Sequence, residues 1–231
     1  MPPLTFPILC AAWLVLGCGP DAGRVTDIPE APGLPVPDLA PLASYRFTFE
    51  DMAVGGPVRG FSMRHTGKAG VDDWAVERDG NNQVVAQRAR NRGMHFNLLT
   101  HDSISASDVV LSVRVKAIDG EEDQGGGVIW RMLDADNYYI ARFNPLEDNL
   151  RLYRVVKGDR EQLASVGVSV VAGSWWTLEV RMKGDRIECA IDGRTLIETD
   201  DATFSMPGHV GLWTKADART WFDDLSVEVL R

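Results

Sequence analysis

Residues 125–156, GGGVIWRMLDADNYYIARFNPLEDNLRLYRVV, constrain the fold more than any other stretch. The runs VIWRM, YYIARF and NLRLYRV alternate apolar and polar positions and are joined by turns rich in Asp, Asn and Pro. A period of two marks half-buried antiparallel strands, one face on a core and the other facing water. In NLRLYRV, Leu150 and Leu152 point inward and Arg151 and Tyr153 outward. In VIWRM, Val128, Trp130 and Met132 take the core side and Arg131 the outer one. Tyr139, Ala141 and Phe143 are assigned to the core, with Tyr138, Ile140 and Arg142 opposite them. GHVGLWTK, further on, turns Val210 and Leu212 in and Trp213 and Lys215 out.

From residue 44 onward such runs recur about fourteen times. Turn signals separate them, including Asp119-Gly120, Lys157-Gly158-Asp159, Lys183-Gly184-Asp185 and Asp192-Gly193. No window sustains a 3.6-residue period. Many short strands without helical crossovers predict an all-β, two-sheet antiparallel sandwich over 44–231 as one domain.

The start of the chain reads differently. Residues 4–16 are apolar and uncharged, too short a run to cross a bilayer but suited to the core of an export signal. The run ends in Val15-Leu16-Gly17-Cys18, which looks like the lipobox of bacterial lipoproteins, although no Lys or Arg precedes it. That resemblance implies a signal peptide over 1–17, an acylated Cys18, and an envelope protein anchored to a membrane. Gly19, in place of Asp, points to the outer membrane if the cell is Gram-negative. Residues 18–43 form a linker carrying Pro at 20, 29, 32, 35, 37 and 41, which makes it extended and semi-rigid. Once residues 1–17 are removed, no disulfide can form in the domain. Cys189, on the same side of its run as Ile187 and Ile191, reads as an inert buried thiol.

The C-terminal part resembles the concanavalin A-like lectin/glucanase jelly rolls, and within them the bacterial 3-keto-disaccharide hydrolase-like (3-keto-glucoside lyase/hydratase) domains. The matching residues are GGGVIWR (125–131), DADNYYIARFN (134–144), LRLYRV (150–155), WWTLEVRMKGDRIECAIDG (175–193), GHVGLWTKADA (208–218) and FDDLSV (222–227). The resemblance implies a jelly roll and a carbohydrate ligand. It leaves open whether the domain is a binding module, an enzyme on oxidised glucosides, or a protein-binding adhesion module.

If the central strands are neighbours, their outer face is a groove holding Arg131, Tyr138, Arg142, Arg151, Tyr153, Trp213 and Lys215. Aromatic rings stack on sugar C–H faces and guanidinium forks bind hydroxyl or carboxylate oxygens, so a glycan is the expected partner. The net charge of −9 argues against nucleic acid. No catalytic carboxylate pair stands on the strand faces. Asp134, Asp136, Glu147 and Asp148 lie in turns beside the groove, where such residues are usually turn formers. Asp51 and Asp223 share the core side of their runs, and two inward carboxylates from opposite ends of the domain suggest a structural Ca2+. His65, His95, His101 and His209 have no metal-ligand spacing along the chain and read as loop histidines. Gly125-Gly126-Gly127 precedes no helix and reads as a site of close strand packing or of a bulge.

Overall fold

A computed structural model describes residues 40–67 and 70–231. The signal-peptide and lipobox readings lie outside these residues, as does the proline-rich linker up to residue 39; its last residue, Ala43, opens β1. Fifteen strands and no helix are found among them: β1 (Ala43–Phe47), β2 (Phe61–Thr66), β3 (Trp74–Asp79), β4 (Asn82–Gln87), β5 (Phe96–Ala106), β6 (Val109–Asp119), β7 (Gly126–Asp134), β8 (Asn137–Asn144), β9 (Asn149–Val156), β10 (Asp159–Gly167), β11 (Trp175–Lys183), β12 (Arg186–Ile191), β13 (Arg194–Asp200), β14 (Gly208–Lys215) and β15 (Arg219–Val229). They form two antiparallel sheets packed as a jelly-roll sandwich. One runs β13-β12-β11-β6-β15-β4-β3, with β1 also on β15. The other runs β10-β9-β8-β7-β14-β5-β2.

Three of the four expected turns close hairpins: Lys157-Gly158 between β9 and β10, Gly184-Asp185 between β11 and β12, and Asp192-Gly193 between β12 and β13. Lys157 and Gly158 have φ of 54° and 84°, and Asp192 and Gly193 of 47° and 74°. Positive φ at both central residues matches the twist of the flanking strands. Asp119-Gly120 is different: it carries the chain from β6 in the first sheet towards β7 in the second.

The core between the sheets contains Val128, Trp130, Tyr139, Ala141, Phe143, Leu150, Leu152, Val210 and Leu212, the inward set expected from alternation. Cys189 lies in the same core, and burial pushes its thiol up to about 12. The alternation fails after Trp130. Arg131 has φ of 45°, and the β7–β8 register slips between Trp130 and Asp134. That bulge reverses the parity, so Met132 turns to the opposite face and Arg131 swings into the interior. The expectation of Arg131 outward and Met132 inward is thereby corrected.

The second sheet is strongly curled. The Tyr138 hydroxyl on β8 bonds the Thr66 hydroxyl on β2 at 2.5 Å, although β7, β14 and β5 lie between their strands. A flat sheet spaced about 4.8 Å per strand could not bring them together.

Candidate functional site

The curl turns the outer face of the second sheet into a concave surface, and much of it is filled. Phe96, Leu98, Ile129, Met132, Tyr138, Ile140, Tyr153, Val155 and Trp213 form a second buried apolar cluster there. The groove expected to expose its rings is in large part a second core. Tyr138 and Trp213 do share the concave face, but both are buried and offer no platform for a sugar. Burial pushes the Tyr138 hydroxyl well above its ordinary range, with the Thr66 and Trp213 side chains drawing it partly back.

The polar residues gather towards one end. Cross-strand pairing aligns Trp213, Gly127, Arg142 and Arg151 in one row across β14, β7, β8 and β9, with Ile140 and Tyr153 in the next. Arg142, buried, donates through Nη2 to Glu147 (2.8 Å) and to the Tyr153 hydroxyl (2.9 Å), and through Nη1 to Asn149 (2.5 Å). Arg151 is part-exposed; its Nη1 lies 3.1 Å from the same Glu147 oxygen and 3.4 Å from the Tyr153 hydroxyl. Lys215 and Asn144 both bond Asp123, at 3.0 and 2.9 Å. The Asp123 segment is itself held in place: Asp217 accepts the backbone N–H groups of Glu121, Glu122 and Asp123.

Glu147 sits between opposing influences. Burial raises its pKa, but the bonds from Arg142 and Asn149 and the charge of Arg151 outweigh that and leave it below the ordinary value. It is therefore a carboxylate at neutral pH, with 42% of its side chain exposed. Arg160 on β10 completes the cluster. Its guanidinium lies 4.4, 5.1 and 5.9 Å from the ring centres of Tyr153, Phe96 and Trp213. Burial lowers its pKa, and its buried Nη1 has no hydrogen-bond partner among the described residues.

Of the seven expected ligand contacts, Tyr138, Arg142, Arg151, Tyr153, Trp213 and Lys215 share the concave side. Arg131 does not. It bonds the carbonyls of Ser107 (2.6 Å), Phe204 (2.5 Å) and Gly184 (2.6 Å) and the carboxylate of Asp108 (3.1 Å), a purely internal set. The sequence carries no signal for Asp123, Arg160, Asn144 or Asn149 at this site, and Glu147 reads there mainly as a turn former. The one available signal was that a turn carboxylate stood five residues from an outward arginine. Asp51 and Asp223 are not brought together either. Asp51 is exposed and paired with Arg59 at 2.8 Å. Asp223 is buried and accepts bonds from Asn82 (2.9 Å) and the Asp224 N–H (2.7 Å), with burial pushing its pKa up.

Three comparisons bear on this arrangement. Residues 60–228 match the model of the 3-keto-alpha-glucoside-1,2-lyase-like domain. Levanase of Bacillus subtilis (strain 168) is 26% identical over 148 residues, covering 63% of this chain and only 21% of the levanase, so the chain spans about a fifth of that relative. Among solved structures, the carbohydrate binding module CBM66 from Bacillus subtilis superposes with a TM-score of 0.59 at 21% identity, covering 73% of this chain and 95% of the module. A Bacillus subtilis protein with a galectin-like fold gives 0.58 at 11% identity, covering 84% and 99%. At these identities the likeness is one of fold.

Proposed function

The chain belongs to the 3-keto-alpha-glucoside-1,2-lyase-like domain family, and on that premise we propose that it binds a carbohydrate at the polar end of its concave face, through Glu147, Arg151 and Arg160. The observation that carries this reading is Glu147: an ionised, half-exposed carboxylate clamped by two guanidinium groups beside a third with an unused donor. A carboxylate flanked by arginine forks offers acceptor and donors at the spacing of neighbouring hydroxyl groups. The names of the levanase and of the carbohydrate binding module support a sugar ligand. Full-length protein should retain a glycan on an array. Arg151→Ala and Glu147→Gln should each weaken that binding at least tenfold, since a charged hydrogen bond contributes about 1.5–3 kcal/mol. Binding unchanged in both variants would refute the site.

A second reading, catalysis on a 3-keto-glucoside, is favoured by the same carboxylate. The hydrogen next to a ketone is acidic, and its removal with loss of the neighbouring glycosidic substituent is an elimination. Glu147 is ionised and so able to accept that proton, although the clamp that lowers its pKa also weakens it as a base, and Arg151 beside it would supply positive charge for an enolate. Release of the aglycone from a 3-keto-glucoside, abolished in Glu147→Gln, would establish it. No release would leave the binding-module reading alone.

We further propose that the domain is carried on the bacterial cell envelope by acylation of Cys18, as its lipobox-like residues suggest. Metabolic labelling with a palmitate analogue should mark the protein, and Cys18→Ser should abolish the label and release the protein from membranes. A label that survives the substitution would dismiss the anchor.

A further inference from the structure

We propose that His65, Asp72 and His95 form a binding site for a divalent first-row transition ion such as Zn2+, separate from the carbohydrate site. Each offers one ligand atom, and these atoms all lie within 4.8 Å of one another. His65 Nδ1 is 3.1 Å from each Asp72 oxygen, a separation normal for two ligands of one small cation. The rings of His65 and His95 stack at 5.1 Å and 27°. Two imidazoles and a carboxylate suit zinc, cobalt or iron(II) better than calcium, and three protein ligands leave a position for water.

The sequence hides this group because its members come from three places: β2, the segment leading to β3, and the residue before β5. Strand pairing of β2 with β5, with Thr66 opposite Phe96, brings the two histidines side by side. The third ligand is held by a buried framework. Asn91 accepts from the Val71 N–H (2.9 Å) and donates to the Val71 carbonyl (2.9 Å). It also donates to Asn97, which in turn bonds Thr214. On the other side of Asp72, the Asp73 carbonyl accepts the Arg88 N–H and its carboxylate pairs with the Arg88 guanidinium at 2.5 Å. Asp72 is thus fixed from both neighbours, as pre-organised ligands are. Gly70 leaves room for the imidazole: a Cβ there would lie 2.2 Å from the His95 ring. Asp72 and His65 are part-exposed, which gives an ion a way in.

The location also suggests an effect. His65 precedes Thr66, whose hydroxyl meets Tyr138 at the closure of the curled sheet. An ion here pins the end of edge strand β2 to the start of β5.

The test is Co2+ titration of the full-length protein. Visible d–d absorption of an N/O-ligated ion should saturate at one equivalent, Zn2+ should displace it, and Zn2+ should raise the thermal midpoint by several degrees. His65→Ala and Asp72→Asn, both at part-exposed side chains, should each weaken binding at least tenfold while leaving the metal-free midpoint close to that of the parent. Absence of the bands would overturn the proposal. So would bands that persist unchanged in both variants, or that carry the intense near-ultraviolet charge transfer of thiolate ligation by Cys10 or Cys18.

Discussion

Arg131→Ala is expected to cost the fold about 3–5 kcal/mol, the loss typical when one member of a buried ionic set is removed. For a chain of this size that corresponds to a fall in thermal midpoint of roughly 6–20 °C. Arg131 is 2% exposed, and its guanidinium reaches four acceptors on three segments. Ser107 and Asp108 form the turn between β5 and β6, Gly184 the turn between β11 and β12, and Phe204 the connection into β14. Because β5 and β14 belong to one sheet and β6, β11 and β12 to the other, one planar cation ties both sheets at the same end. Alanine leaves three carbonyls and the Asp108 carboxylate facing a void. Arg131→Lys should recover only part of the loss, since an ammonium group cannot span acceptors that diverge around a guanidinium plane. Urea unfolding of the three proteins checks this. A loss below about 1 kcal/mol for alanine would mean that water replaces the guanidinium without penalty.

Gly127→Ala should be at least as damaging, by about 3 kcal/mol or more, and should also disturb the polar end of the concave face. An added Cβ at 127 would lie 1.8 Å from the Ala141 carbonyl oxygen and 2.8 Å from the Arg142 Cα, both backbone atoms of β8. Neither can rotate away as a side-chain tip would, so β7 and β8 must separate. Arg142 pairs directly with Gly127, so its bonds to Glu147 and Tyr153 would shift with the strand. A soluble Gly127→Ala protein is therefore expected to show both a lower unfolding midpoint and weaker glycan retention. A variant of unchanged stability would show that the strand spacing is looser than these contacts imply.

The face assignments were legible wherever the ladder is regular. Leu150, Leu152, Val210, Leu212, Tyr139 and Phe143 all enter the inter-sheet core as alternation requires. Alternation cannot foresee an inserted bulge, and Arg131 and Met132 depart from it for that reason alone. Nor does it report curvature. Tyr138 and Trp213 lie on the expected face, but whether an outer face is wet depends on how far the sheet rolls, which is set by twist summed over seven strands. At Gly125-Gly126-Gly127, where the sequence leaves close packing or a bulge open, added Cβ atoms would meet backbone of β8 and β14 at 2.6 Å or less. The His65, Asp72 and His95 group was missed because ligands gathered across strands need no spacing along the chain. Glu147 does not stand out in the sequence because an acidic residue in a turn already has an adequate local explanation.

The overlap of Arg160 with Phe96 has a consequence for how the molecule forms. These residues belong to β10 and β5, which β9, β8, β7 and β14 keep apart in the ladder. Their contact, like that of Tyr138 with Thr66, becomes possible only after β14, far along the chain, has been laid between β7 and β5. Folding that depends on such non-local pairings is slow, on the order of milliseconds to seconds in comparable all-β domains. During vectorial emergence, therefore, the hollow side of the rolled sheet should remain hydrated until residues beyond 215 have appeared. The packing of Arg160 on Phe96 and Trp213 would be among the last contacts to acquire native geometry.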